Sequence, residues 1–415
     1  MLEQATFEQV LDFANRANPY PLYARLRQTP VARQADGSYV VSTYREIVAL
    51  LNDPRVSSEL RQGKGDDGAG PDQGPDPSRL PGFIRSDPPE HDRLRRQATA
   101  PYGPPHTPGR VADMEPEIVR LANRQIDGLR GKTRIDLVED FAYPLPVTVI
   151  CELLGVPRND EPRFHVWTEA IAAGTAGADD PQASPQERRR RRDESAQAIA
   201  ELRQYIAALT EHDRQQPGSD LLSGLVTEHG SDGLMAPADV VDTGTLLLFA
   251  GHETTVNLIT NGMLTLLRHP DVLERLRREP DLIIRLVEEL LRYEPPVHAL
   301  SSRTALADIP IADTTIPRGS PVILLLASGN RDPARFGDPE RFDPERQDNQ
   351  HLGFGGGIHH CYGAPVARLE TQIALTELAR RLENPRLVQD PPPYRQSATL
   401  RGPRQLLVDI DGVRD

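Results

Sequence analysis

The chain carries two cysteines, Cys151 and Cys361, and the second has surroundings suited to chemistry. Cys361 lies in Phe354 to Gly363, FGGGIHHCYG, where three consecutive glycines, Gly355 to Gly357, argue against regular helix or a well-packed strand. Such a backbone can approach a flat ligand closely and adopt positive φ angles. Gly363 then opens a segment of helical character, APVARLETQIALTELARRL. A thiolate at a helix N-terminus is stabilised by unpaired amides and the positive end of the dipole, which suits an anionic, metal-ligating sulfur. Two plainer readings compete with it. A lone cysteine beside glycine often serves as a small buried residue. Alternatively, His351, His359, His360 and Cys361 could collect a zinc ion, although the adjacency of His359, His360 and Cys361 does not match the separated ligand pairs of structural zinc sites.

Three further groupings combine acid, alcohol and base. The apolar stretch Ala238 to Leu267 is interrupted at its centre by AGHETT, placing Gly251, Glu253 and Thr254 inside a segment of helical spacing. A threonine hydroxyl there can bond the carbonyl of the preceding turn, and with Gly251 it makes a local kink plausible; the plain alternative is a solvent-facing stripe. Glu289 and Arg292 in RLVEELLRYEPP lie three apart on one helix face, as an ordinary surface salt bridge would. His91 and Arg95 lie four apart after Ser86-Asp87-Pro88-Pro89, which reads as a capped helix start.

The elements that must position these groups are mostly helical. Helical spacing runs over Pro116 to Leu129, Ala196 to Arg214, Ala238 to Leu267 and Ala364 to Leu382, while Ser38 to Ser42 and Pro321 to Leu326 read as strands. The expected class is mainly α with minor β, as a single domain over residues 1–415. Gln62 to Ser78 and Ala178 to Glu194 read as loose connections, and the five arginines inside the second read as a solvated helix start. The formal net charge of -13 argues against nucleic acid as a partner. No signal segment or membrane-length apolar run is seen, and two cysteines fit a reducing cytoplasm. They are also too few for an iron–sulfur cluster held by four thiolates, so any electrons must come from another molecule.

The segment FGGGIHHCYG matches the cytochrome P-450 cysteine-ligand pattern Phe-Gly-x-Gly-x-His-x-Cys-x-Gly at Phe354, Gly355, Gly357, His359, Cys361 and Gly363. The chain therefore resembles the bacterial haem-thiolate monooxygenases of that family, and the matching pieces run in order from about Asp87 to the C-terminal TLRGPRQLLV. The resemblance implies a triangular helix-rich prism with small peripheral sheets enclosing haem b. It makes Cys361 the axial iron ligand and Phe354 the aromatic near the sulfur. His91, Arg95, Arg303 and His359 become propionate ligands, and Ala250 and Gly251 contacts of the haem. Thr254 would act at the oxygen site, with Glu253 relaying protons. Glu289 and Arg292 would form the core pair, completed by Arg341 or Arg346. Substrate contacts inferred by position are Phe83, Ile84, Leu246, Ala250, Val297, His298, Ala299, Leu300 and Ala398; His298 could equally bond nearby backbone.

The implied reaction inserts one atom of O2 into a hydrophobic small molecule, a macrolide, terpenoid, steroid or peptide-like compound, by hydroxylation or epoxidation. A peroxide-using peroxygenase and a non-catalytic haem sensor are the alternatives. The stretch after Cys361 is too short for a reductase domain, so a separate ferredoxin and NAD(P)H-dependent ferredoxin reductase are expected, with Arg93 and Arg96 as docking residues on a monomer. One departure from the family pattern is PYGPPHTPG, Pro101 to Gly109, where relatives show a Phe-Thr-Pro-like turn.

Overall fold

The structure is a computed structural model describing residues 6–59, 80–102, 109–178, 183–227 and 232–415. The helices that matter for the site are α1 (Tyr44–Leu51), α2 (Glu90–Tyr102), α3 (Glu115–Asp127), α4 (Pro144–Leu153), α5 (Glu161–Ala178), α6 (Pro185–Gln215), α7 (Pro237–Arg268), α8 (Ile283–Tyr293) and α9 (Ala364–Arg381). The largest sheet joins β1 (Val31–Arg33), β2 (Tyr39–Val41), β3 (Val56–Ser57), β4 (Leu300–Ala305) and β5 (Pro321–Leu324) in the order β1-β2-β5-β4-β3.

A helix that is apolar on most faces has to be buried on most faces, and α7 obeys this rule. Pro237 occupies its first turn, and from Thr243 to Leu266 nearly every side chain is buried. Helices α4, α6, α8 and α9 all pack against it. With 32 residues, α7 spans about 48 Å and forms the spine on which the rest is assembled. It stays helical through AGHETT. Amphipathic α8 turns Leu286, Val287, Leu290 and Leu291 into the same core.

The sheet forms a second cluster, where Val41, Ile47, Val322, Leu324 and Leu352 are buried together. Strand β2 pairs with β5 in parallel, Val40 opposite Ile323, and β4 pairs with β5 antiparallel. The β4–β5 register shifts between Leu300 and Arg303. Because side chains alternate faces with period two, such a shift re-aims those that follow it.

Two boundaries differ from the sequence reading. Helix α6 starts at Pro185, capped by the Ser184 side chain, so the arginine run lies within its first turns as the solvated helix start reading held. Helix α2 starts at Glu90, directly after Ser86-Asp87-Pro88-Pro89, and the Asp87 carboxylate is bonded elsewhere. That carboxylate instead accepts from Ser57 Oγ at 2.5 Å and from the Ser58 amide at 2.8 Å, tying the helix start to β3. The segment Gln62 to Ser78 and the centre of PYGPPHTPG lie outside the described residues; Pro101 and Tyr102 close α2.

Candidate active site

The cysteine loop is shaped by its glycines. Gly355 and Gly357 have φ of +67° and +64°, a region that costs other residues strain. At Gly357 a Cβ would also come within 2.1 Å of the Leu51 carbonyl oxygen at the end of α1. The loop closes as the Cys361 amide donates to Phe354 O at 3.0 Å. Beyond it, the amides of Gly363 and Ala364 at the start of α9 point at the sulfur. Burial pushes the Cys361 thiol up, and those amides, with the charges of Arg95 and Arg368, pull it down only in part. The stabilisation expected from the helix start is therefore present but outweighed. A bound cation would supply the charge that makes the thiolate the stable form.

Among the described residues no three His, Cys, Asp or Glu side chains converge as metal ligands, which leaves the zinc reading without a site. His351 is paired with Glu288 at 3.0 Å, and His359 Nε2 lies 2.8 Å from Ser58 Oγ. The Phe354 ring lies beside the loop, with the Arg368 guanidinium 4.6 Å from its centre.

A basic cluster stands next to the cysteine. The His91 and His359 rings meet edge to face with centroids 4.5 Å apart. His91 is buried, its Nδ1 paired with Asp92 at 2.9 Å and its Nε2 without a hydrogen-bond partner among the described residues. Arg95, one helical turn on, donates to His360 O at 2.6 Å. Burial and the charges of Arg303, His91, Arg95 and Arg85 bring His359 down to about 3. Burial is the larger cause, and the four basic side chains add positive potential at the same spot. Carboxylates of a ligand would relieve it, and Arg and His can supply the paired donors.

Helix α7 completes the constellation. Although most of the helix is buried, Phe249, Ala250, Gly251 and Thr254 are only half-buried and leave one open patch along it. Thr254 Oγ1 donates to Ala250 O at 2.8 Å, and Thr255 Oγ1 donates to Gly251 O at 3.1 Å. Glu253 is buried and turned to another partner, Arg395, whose Nη1 lies 2.9 Å from Oε1. Burial raises the Glu253 carboxyl above its ordinary value, and Arg395 offsets this only in part. Nothing in the local sequence around Arg395 marks it, because the two residues are 142 positions apart in the numbering and meet only through the fold.

The structure brings the inferred substrate contacts together in two groups. Gly82, just before Phe83 and Ile84, lies against Leu246, to which a Cβ would come within 3.2 Å. Phe83 is buried against His91 and Tyr362, whereas Ile84 is 39% exposed. Val297 bridges Leu400, and the His298 amide donates to Thr399 O at 2.7 Å, placing Val297 to Leu300 beside Ala398. The His298 ring is committed to the Tyr23 hydroxyl at 2.8 Å within a buried Tyr20–Tyr23 cluster, which favours the packing role over substrate orientation.

Glu289 and Arg292 are fully buried rather than a surface pair. Arg292 donates to both Glu289 oxygens, at 2.7 and 2.8 Å, and to the carbonyls of Asn330, Pro339 and Arg341. Of the two candidates for the third member, Arg346 reaches Glu289 with its side chain at 3.3 Å, and Arg341 contributes only its backbone oxygen to Arg292. The proposed docking arginines already have internal partners: Arg93 pairs with Glu90 and Asp239, and Arg96 with Asp232.

These residues fit an iron porphyrin: one partly accessible sulfur at a helix start, a basic cluster for its two carboxylates, and an open patch on α7. Comparison with known proteins agrees. The cytochrome P450 family model matches residues 72–409. Cytochrome P450 monooxygenase PikC of Streptomyces venezuelae is 40% identical over 378 residues, covering 89% of this chain and 85% of that protein. The 6-deoxyerythronolide B hydroxylase of Saccharopolyspora erythraea is 35% identical, covering 95% of this chain and 96% of that one. Ligand-free CYP164A2 of Mycobacterium smegmatis superposes with a TM-score of 0.84 at 37% identity, covering 97% of this chain and 99% of that structure. The chain thus belongs to the cytochrome P450 family, and is a P450 monooxygenase with the haem iron that this family carries.

Proposed function

We propose that this monooxygenase hydroxylates or epoxidises a hydrophobic small molecule of bacterial secondary metabolism, with haem b as its cofactor and Cys361 as the residue that would hold its iron. The single observation that carries the reading is the half-buried face of α7, where Thr254 lies on the open patch, read here as one wall of a hollow for substrate and oxygen, while the neighbouring Glu253 is buried against Arg395. Names of relatives point the same way, a 6-deoxyerythronolide B hydroxylase and a vitamin D(3) 25-hydroxylase among them. Apolar Phe83, Leu246, Val297, Leu300 and Ala398 favour an apolar substrate.

When bound, the haem iron supplies the dioxygen chemistry, and the protein supplies ligand, orientation and protons. Cys361 donates electron density from a thiolate. His91, Arg95, Arg303 and His359 would hold the carboxylates, and Ala250 lies on the face of α7 that would meet the ring; the bare Cα of Gly251 makes room for Ile150 of α4 instead. Thr254 can offer its hydroxyl to the hollow when it releases the Ala250 carbonyl, and Glu253 exchanges a proton between solvent and that hydroxyl. Electrons come from a separate ferredoxin served by an NAD(P)H-dependent reductase, in the cytoplasm and to a monomer. With Arg93 and Arg96 held in internal ion pairs, their contribution to docking is through the field of the surface.

The test is stoichiometric. A substrate is first found by the low-to-high-spin shift it produces on binding. With ferredoxin and reductase, Thr254→Ala is then expected to lower product per O2 consumed by about tenfold or more, the balance appearing as hydrogen peroxide. Turnover driven by peroxide alone and untouched by Thr254→Ala would favour the peroxygenase instead.

A further inference from the structure

The C-terminal segment contributes a charge to the site that the family motifs do not mark. It folds back as a hairpin: Tyr394 bridges Pro403, and the Arg395 amide donates to Gly402 O at 3.1 Å. The hairpin sits hard against α7, since a Cβ at Gly402 would stand 2.1 Å from Asn257 Oδ1, and Asn261 Nδ2 donates to Arg401 O at 3.0 Å. One helical turn before Asn257, Glu253 receives Arg395 from this same hairpin, with side chains only 5% and 20% exposed. Ala398 and Thr399, beside the Val297–Leu300 segment, lie at its tip.

We propose that Arg395 is the positioning residue for Glu253, holding its carboxylate ionised and in register with the hairpin that borders the substrate. The inference rests on the reading of Glu253 as the proton-exchanging acid. A carboxyl that relays protons must return to its ionised form to accept the next one, and a buried carboxyl without a cation stays protonated. The groups facing Glu253 are Arg395 from the hairpin, His165 and Glu169 from α5, Tyr143 from the residue before α4, and His252 beside it. Glu169 opposes ionisation, and Arg395 is the one in direct contact. The guanidinium does not itself carry the proton, because it stays charged across the working range.

The test follows the protonated-carboxyl stretch of Glu253 by infrared difference spectroscopy on the haem-loaded protein, identified by its loss in Glu253→Gln. The wild type is expected to show no such band at pH 7. Arg395→Gln should gain it, the midpoint moving up by about two pH units or more, and Arg395→Lys should stay close to wild type. Gly402→Ala, which leaves both charges in place but pushes the hairpin from α7, should move the midpoint part of the way. A band already present in wild type at pH 7, or a midpoint unmoved in Arg395→Gln and Gly402→Ala, would overturn the proposal. Product per O2 measured in Glu253→Gln separates the two claims: a value equal to wild type removes the relay role of Glu253, whatever the infrared result for Arg395.

Discussion

At the scale of single residues, the buried charges of the Glu289 network divide sharply by how they are used. Arg346 touches Glu289 with its guanidinium, while Arg341 offers only a carbonyl that any residue could provide. Removing one partner of a buried ion pair leaves the other poorly compensated. Arg346→Ala is therefore expected to lower stability by about 1–3 kcal/mol, and Arg341→Ala, whose side chain is exposed, by less than about 0.5 kcal/mol. Urea unfolding of the two variants side by side checks this, and equal losses would remove the distinction.

At the scale of the element, the cysteine loop poses a question about why glycine recurs. Gly355 and Gly357 share a positive φ, but only Gly357 has a neighbour in the way of a Cβ. Backbone strain alone makes Gly355→Ala cost about 1–2 kcal/mol. Gly357→Ala adds a collision with backbone of α1 and must displace the loop, so its loss should be larger by about 2 kcal/mol or more. Haem retained per protein after purification should fall in the same order. Equal retention would mean that Leu51 yields more easily than its place at a helix end implies.

At the scale of the whole molecule, Glu288 ties three parts together: it sits on α8, accepts from Arg368 of α9 at 2.6 and 2.9 Å, and pairs with His351 just before the cysteine loop. Burial alone would raise its carboxyl, but the hydrogen bonds from His351 and Arg368 outweigh it and bring it down to about 2 from an ordinary 4.5. A carboxylate lowered on folding contributes stability that is complete above its ordinary value and is lost as pH falls through its folded value. Glu288→Gln should then cost on the order of 2 kcal/mol at pH 7, and the gap to wild type should close between about pH 4.5 and pH 2. Thermal unfolding across that range would show it; a gap that stays constant with pH would assign the loss to packing.

The division between what the sequence determined and what the fold decided follows the range of the physics involved. Cys361, its glycines, Glu253-Thr254 and the Glu289–Arg292 spacing were legible because each is a local pattern: a turn needing glycine, or two groups three residues apart on one helix. The long helices were legible for the same reason, as their apolar periodicity lies within a single segment. Local patterning failed where a side chain found a distant partner. It read Asp87 as part of a helix cap when the carboxylate bonds strand β3, and it took Glu289–Arg292 for a surface pair when considered alone. Nor could it choose between Arg341 and Arg346, or settle whether the His298 ring served substrate or packing. Arg395 was invisible, since its significance comes entirely from a hairpin laid against α7. Ionisation was also the fold's to decide: the helix start favours a Cys361 thiolate, but burial, which only the tertiary structure sets, outweighs it until a cation arrives.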